Sequence, residues 1–285
     1  MATLADGGSD QLYIAPESFA QFAGFITSEL GIKMSEAKVP MLQGRLMRRL
    51  RHLGLQTLEE YREYLFRSGE DNQERIHFID AVTTNKTDFY REPQHFDYLA
   101  NIALPNIFSR HKGRHLKIWC AGCSSGEEPY TLAMVTTEFL KRQGQSDFSI
   151  LATDISTRVL ETARAGIYEE SRVDPLPPAL RATYVLRSKD QSKQLIRIVP
   201  ELRQRISFYR LNFMDKDYRI KDLYDVIFFR NVMIYFDRPT QEAVINRMCR
   251  NLNPGGYLFV GHSESLTGLN IPVGQVASAV YRKPL

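Results

Sequence analysis

The chain has 285 residues, 43% hydrophobic and 25% charged, with a net charge of +4 and three cysteines. That balance suits one large or two modest globular domains with a real core, and no apolar run approaches the ~20 residues of a membrane span. So few cysteines speak against a disulfide framework and for a reducing cytoplasm, and residues 1–12 read as a disordered tail rather than a signal peptide.

Residues 13–83 read as helix after helix, an all-helical N-terminal domain. "PESFAQFAGFITSEL" carries Phe19, Phe22, Phe25 and Ile26 at helical spacing. "AKVPMLQGRLMRRLRHLGL" places Leu42, Leu46, Leu50 and Leu53 on one stripe and ends at Gly54. "QTLEEYREYLFRSG" opens with Thr57 and Glu60 at capping-box spacing, and "NQERIHFIDAVTT" supplies a fourth helix. The second helix also has a basic face. Lys38, Arg45, Arg49 and His52 recur at spacings of seven, four and three, with Arg48 beside them. No acid stands between Glu36 and Glu59, so these cations are expected to lack local partners. Residues 84–113 are expected to form a linker with connecting helices.

After residue 113 the pattern changes. "LKIWCA", "FSILATD" and "YDVIFFRN" are short continuous apolar runs, as in strands buried on both faces, and they alternate with helical stretches. That is βαβ alternation, so residues 114–285 are expected to form a doubly wound, mostly parallel α/β sheet. "KQLIRIVPELRQRISFYRLNF" reads as two β-like runs joined by a polar link, a small antiparallel β insertion at about 170–206. The end reads as a strand pair after an "NPGG" turn.

The stretch "WCAGCSSGEEPY" admits two readings. A redox Cys-x-x-Cys needs a thiolate at a helix start, but Cys120 continues a buried strand and Gly122 to Gly126 separate Cys123 from the helix. His111 and His115 do not complete a zinc set, so both cysteines are expected as small apolar fillers and no metal is expected. In the second reading, a strand, a glycine turn at Ala121–Gly126 and a helix bring backbone N–H groups close to a ligand. Glu127 and Glu128 at the helix start would repel a pyrophosphate and suit hydroxyls or a cationic amine. Asp154 ends the next strand, where such folds hold a ribose. Each acid could instead cap its helix. A cofactor with a ribose and an ammonium group but no phosphate is S-adenosylmethionine, and the reversed terminal strands suit the methyltransferase variant of this sheet.

Further stretches resemble the chemotaxis receptor methyltransferases, the CheR family. They are "RLMRRLRHLGL", "AVTTNKTDFYRE", "SSGEEPY", "ATDIS", "FRNVMIYFD" and "GHSESL", in one order from about residue 20 to the end. The resemblance implies methyl transfer from S-adenosylmethionine to glutamate side chains on the cytoplasmic helical bundle of a chemoreceptor. It implies that Asn85, Thr87 and Arg91 reach the cofactor from the linker, and that Glu128 and Asp154 bind its polar groups. Ala121 and Gly122 would line the cleft, and Asn212 and Phe213 would border the adenine. Arg230 and Asn231 would line the site at a strand end. Arg91 and Tyr235 would face the reacting centre, and Lys38, Arg45, Arg48, Arg49 and His52 would dock the receptor. Some family members also bind a receptor C-terminal tail on the β insertion; here the loop Ser188–Gln194 lacks the glycines associated with that version.

Two other functions remain open at this level. An RNA methyltransferase would need a basic patch with interleaved aromatics, which the basic helix lacks, so no nucleic-acid partner is expected. A non-catalytic receptor-binding module would not need Glu128, Asp154, Asn231 and Tyr235 together.

Overall fold

The computed structural model describes residues 14–67, 73–110, 113, 115–144 and 147–285; the tail expected over 1–12 lies outside the described residues, as does His111. The chain divides into two compact units, Met1–Thr84 and Asn85–Leu285.

In the first unit the four expected helices form: α1 (Pro16–Leu30), α2 (Val39–Leu53), α3 (Leu58–Arg67) and α4 (Gln73–Val82). Phe22, Leu42, Leu46, Leu50, Tyr61, Leu65 and Phe78 are buried, and Phe22 stacks on Phe78 with ring centroids 5.6 Å apart. The capping box closes in both directions. The Glu60 N–H donates to Thr57 Oγ1 at 3.1 Å, and the Thr57 N–H donates to Glu60 Oε2 at 3.4 Å.

The basic face of α2 is not left without partners, and this corrects the expectation. Arg49 forks onto Glu74 of α4, donating from Nε at 2.7 Å and from Nη2 at 2.6 Å. Glu74 is buried and also accepts from the Tyr61 hydroxyl at 2.8 Å. Arg45 donates to the carbonyl of Val82 and, at 2.8 Å, to Thr84 Oγ1, while Lys38 Nζ donates to the Lys33 carbonyl at 2.7 Å. The acid-free stretch hid this because the acid arrives from another helix. Of the basic residues on α2, Arg48, Arg51 and His52 stay exposed.

In the second unit the chain runs through α5 (Pro93–Tyr98), a π-helical turn and α6 (Leu104–Arg110) before the first strand, β1 (Leu116–Ala121). The expected linker is therefore part of this unit: Phe89, Phe96, Leu99, Leu104 and Ile107 join its core, and Phe96 stacks on Phe228 at 5.9 Å. There follow α7 (Glu127–Arg142), β2 (Phe148–Asp154), α8 (Thr157–Ala165), β3 (Ile167–Glu169), α9 (Pro178–Tyr184), β4 (Val185–Arg187) and β5 (Leu195–Ile198). The remainder is α10 (Pro200–Arg203), β6 (Ile206–Arg210), β7 (Tyr224–Phe229), α11 (Arg238–Arg250), β8 (Leu252–Val260), β9 (Gly274–Ala277) and β10 (Val280–Arg282).

The main sheet has seven strands in the order β6-β2-β1-β7-β8-β10-β9. It is parallel from β6 to β8, and β10 then reverses direction against β8 and β9. Every residue of β7 is buried; all but Asp225 are apolar, and Asp225 accepts the Lys117 N–H at 3.0 Å and Asn253 Nδ2 at 2.8 Å. A second sheet, β3-β5-β4, is antiparallel.

Two readings change. Of the two runs assigned to the insertion, only Leu195–Ile198 enters the small sheet. Ile206–Arg210 pairs in parallel with β2 at the edge of the main sheet, because the link between the runs winds into α10 and redirects the chain. The "NPGG" segment is no turn before a strand but an irregularity inside β8, where the register against β7 shifts between Tyr224 and Val226.

Candidate active site

The loop after β1 is held tightly to its neighbours. The N–H groups of Gly122 and Cys123 both donate to the Thr153 carbonyl, at 2.7 and 2.9 Å. Gly122 has φ of 79°, and a Cβ there would lie 2.5 Å from Cγ2 of Val232. Only glycine lets this loop fold against the turn after β7. Asp154 ties the loop to the next one: its carboxylate accepts the Ser124 N–H at 2.8 Å and the Ser156 N–H at 3.0 Å. Asp154 does not itself cap α8: the N-cap is Ser156, whose Oγ accepts the Val159 N–H at 3.5 Å. The Ser124 hydroxyl donates to the Asn85 carbonyl at 2.8 Å, which brings the 85–92 segment to the same edge.

The two acids opening α7 have different partners. Glu127 is buried, pairs with Arg172 and accepts from the Ser125 hydroxyl at 2.7 Å. Glu128 faces Arg230, with Oε2 to Nη1 at 3.1 Å, and accepts from the Cys120 thiol at 3.3 Å. Burial raises the Glu128 carboxyl above its ordinary range, against the pull of Arg230. Cys120 and Cys123 are both buried and free, and burial pushes both thiols well up, so neither is a redox thiolate. Cys120 is more than an apolar filler, since its S–H answers the half-buried Glu128 carboxylate.

Arg230 is the hub. Its side chain is 0% exposed and lies between Glu128 and Glu92, with Nη2 3.2 Å from Glu92 Oε2. Nη2 also donates to the Arg91 carbonyl at 2.6 Å, and the guanidinium stands 5.5 Å from the Phe96 ring centroid and 5.8 Å from that of Phe228. A guanidinium so sealed reaches a ligand only through Glu128 and the Arg91 backbone. This modifies the expectation that Arg230 lines the cleft directly.

Glu92, to which sequence reasoning gave no role, completes the arrangement. It accepts from Asn231 Nδ2 at 3.2 Å and from the His262 N–H at 3.2 Å. Burial works against its charge, but Arg230 and these donors hold its carboxyl below the ordinary range. His95 is buried beside it, with neither ring nitrogen in a hydrogen bond. Burial, then the Arg230 charge, depresses its pKa to about 4, so the ring is neutral. The donor atoms of Glu92, His95 and His262 lie within 4.8 Å of one another, as in a metal site. Arg230 already supplies the cation there, so the trio reads as an anchor and not as a metal centre.

Tyr90, Glu92, Ser124 and Asn231 are non-glycine residues with φ of 57°, 57°, 47° and 59°. Left-handed backbone of this kind costs on the order of 1–3 kcal/mol per residue and gathers at functional sites. Arg91, between two of them, donates from Nη1 to the Lys86 carbonyl at 3.2 Å. The Thr87 carbonyl accepts from Arg172 at 2.7 Å. Asn212 Oδ1 accepts the Met214 N–H at 3.0 Å, and the Leu211 N–H donates to the Asp154 carbonyl at 2.9 Å, which sets this turn beside Asp154. Phe213 is buried edge-on against Phe229 at 4.9 Å. Tyr235 ends a short 3₁₀ turn, Met233–Tyr235, and is half-buried, next to exposed Ile234.

A doubly wound sheet with a reversed last pair, and an acid after each of its first two strands around a glycine loop, defines a nucleoside-cofactor methyltransferase. The chain belongs to the CheR family: residues 85–282 match "CheR methyltransferase, SAM binding domain" and residues 17–83 match "CheR methyltransferase, all-alpha domain". Chemotaxis protein methyltransferase 2 of Pseudomonas aeruginosa is 39% identical over 276 residues, covering 96% of this chain and 95% of that one. The chemotaxis protein methyltransferase of Borreliella burgdorferi is 37% identical, covering 95% of each. That of Escherichia coli is 36% identical, covering 92% of this chain and 88% of that one. The chain is therefore a chemotaxis-type methyltransferase whose cofactor is S-adenosylmethionine. A half-buried acid at Glu128 is of a chemistry that fits a cofactor carrying an ammonium group and no phosphate.

The thiols make a simple test. A Cys120→Ser, Cys123→Ala variant keeps a donor to Glu128, so it should retain wild-type initial rates without added thiol. A dependence on dithiol, or zinc bound in stoichiometric amount, would contradict this assignment.

Proposed function

We propose that the chain methylates glutamate carboxylates on the cytoplasmic helical bundle of chemoreceptors, giving methyl esters. The observation that carries this reading is the edge where Glu128, Asp154 and the strained Tyr90–Glu92 segment are tied together through Arg230 and Ser124, in a chain that matches both parts of the family. The names of its bacterial relatives support it, as does the lack of any helix long and apolar enough to cross a membrane among the described residues. On this reading the enzyme works in the cytoplasm.

A glutamate carboxylate, pKa ~4.3, is already ionised at neutral pH, so no strong general base is required. S-adenosylmethionine supplies the methyl group on a positively charged sulfur. The chain must strip water from the carboxylate and aim it, which can contribute several kcal/mol, up to ~7–11 in good cases. Glu128 would take the cofactor's ammonium group and Asp154 its ribose hydroxyls. Asn212 and Phe213 would border the adenine, and Asn85, Thr87, Ala121, Gly122 and Asn231 would shape the cleft. Arg91 and Tyr235 would orient the incoming carboxylate by hydrogen bonding.

For docking, the α2 residues that stay exposed, Arg48, Arg51 and His52, would meet an acidic bundle. Arg45 and Arg49 spend their charge within their own unit. In the small sheet β4 is an edge strand with Leu186 exposed, which leaves room for an added receptor tail.

The test is transfer of labelled methyl from S-adenosylmethionine to receptor cytoplasmic fragments, with release of label by mild base as the mark of an ester. An Arg48→Glu, Arg51→Glu variant should lose receptor methylation about tenfold or more while its cofactor affinity by calorimetry is unchanged. Wild-type rates should also fall as salt rises, since exposed charges are screened beyond ~10 Å at 0.1 M. Base-stable label would reject glutamate as the acceptor. Unaltered methylation by the reversed variant would reject this face as the dock.

A further inference from the structure

Beyond the residues that meet cofactor or receptor, Glu264 is a buried carboxylate at the strand ends with no role so far. Glu264 follows β8 in the loop Gly261–Glu264 and is 8% exposed. Its Oε2 accepts two backbone N–H groups, from Gly261 at 2.6 Å and from Asn231 at 2.9 Å, and its Oε1 accepts the Ile234 N–H at 3.3 Å. Burial raises its carboxyl above the ordinary range, and the backbone donors oppose that rise. Among the described residues no basic side chain is ion-paired with it; it is held by main-chain N–H groups.

The place of those groups matters. Asn231 and Ile234 belong to the turn that leaves β7, the same turn that carries Arg230 and ends at Tyr235. Asn231 stands in the left-handed region, a cost that the surroundings must offset. Gly261 permits the approach: a Cβ there would lie 2.5 Å from Asn231 Nδ2, 3.0 Å from the Asn231 N and 3.0 Å from Glu264 Oε2. The ends of β7 and β8 can close on one another only with glycine at that position, and the Glu264 carboxylate joins them.

We infer that Glu264 is a positioning residue for methyl transfer: it holds the β7 turn so that Asn231 and Tyr235 keep their places at the cleft. It touches neither cofactor nor reacting atoms. Without it three N–H groups lose their acceptor, and the turn is free to leave its strained conformation. A displacement of about 1 Å at a reacting centre can cost on the order of a hundredfold in rate. The inference rests on the methyltransferase reading, and wild-type methylation in the same assay separates the two: if the wild type transfers no methyl group, that reading fails first.

The experiment compares Glu264→Ala, Glu264→Gln and Gly261→Ala in the full chain. Turnover is counted per folded molecule, with the folded fraction taken from far-ultraviolet circular dichroism at the assay temperature. Glu264→Ala should lower kcat about a hundredfold while KM for S-adenosylmethionine changes less than tenfold. Glu264→Gln keeps one acceptor oxygen and should recover part of that loss. Gly261→Ala keeps the charge but wedges the strand ends apart, and it should fall in kcat in the same way. Combined with Glu264→Gln it should add little, because both act on one joint. Should Glu264→Ala not fold, the Gln and Gly261→Ala variants carry the same test. Wild-type kcat per folded molecule in Glu264→Gln and Gly261→Ala, or losses that follow the unfolded fraction alone, would overturn the assignment.

Discussion

Replacing Arg49 by glutamate is expected to destabilise the helical unit by about 3–5 kcal/mol, the range for breaking a buried ion pair from one side. The cause is Glu74, which is buried and takes both the Arg49 fork and the Tyr61 hydroxyl. Reversal at position 49 sets a half-buried carboxylate against the buried Glu74. For a unit of this size, thermal unfolding should come more than ~10 °C earlier. Amide exchange of α2 and α4 should rise together, since the pair joins them. Removing both charges, as Arg49→Met with Glu74→Leu, should cost much less, because the penalty lies in the stranded charge and not in the lost attraction. Charge reversal at Arg49 therefore cannot serve as a docking test. If Arg49→Glu unfolds at the wild-type temperature, the pair contributes nothing and the side chain is free for a partner after all.

Arg230→Ala is expected to abolish measurable cofactor binding as well as to lower stability by a similar 3–5 kcal/mol. The guanidinium is fully buried between Glu92 and Glu128, so its loss strands two carboxylates at once. Glu128 would then lose the cation that opposes the rise of its carboxyl, and its hold on an ammonium group would weaken. Glu92 would lose its hold on the 85–92 segment. Adding Glu128→Gln to an Arg230→Met variant should restore part of the stability, because one of the two stranded carboxylates is then neutral while Glu92 keeps its Asn231 and His262 donors. It should not restore binding. Calorimetry with S-adenosylhomocysteine and thermal unfolding separate the two effects. Tight binding by Arg230→Ala would show that Glu128 needs no counter-charge.

The elements were legible in the sequence because each is governed by local periodicity. Leu42, Leu46 and Leu50 repeat at helical spacing and all three are buried. Tyr224–Phe229 is apolar at every position but Asp225 because helices cover both faces of a parallel sheet, and buried Asp225 accepts from Asn253 Nδ2 at 2.8 Å. Thr57 and Glu60 announced their own cap. Ala121–Gly126, Glu128 and Asp154 were also visible, because a ligand loop follows a strand and an acid ends the next one.

Contacts between distant segments were not legible. Glu74 answers Arg49 from 25 residues away, and a window of local sequence shows only an acid-free helix. Glu92 meets Asn231 across 139 residues and His262 across 170, and neither spacing carries a signal. The second β-like run, Ile206–Arg210, is as apolar as the first; only the turn made by α10 sends it to the main sheet. By itself the sequence determined which main elements form and where the glycine loop and the strand-end acids fall, since those follow from short-range propensity and burial. The tertiary structure decided which charges are neutralised, which stay free for a partner, and which carboxylates serve the backbone. Those outcomes depend on low-dielectric pairing between segments that only the fold brings together.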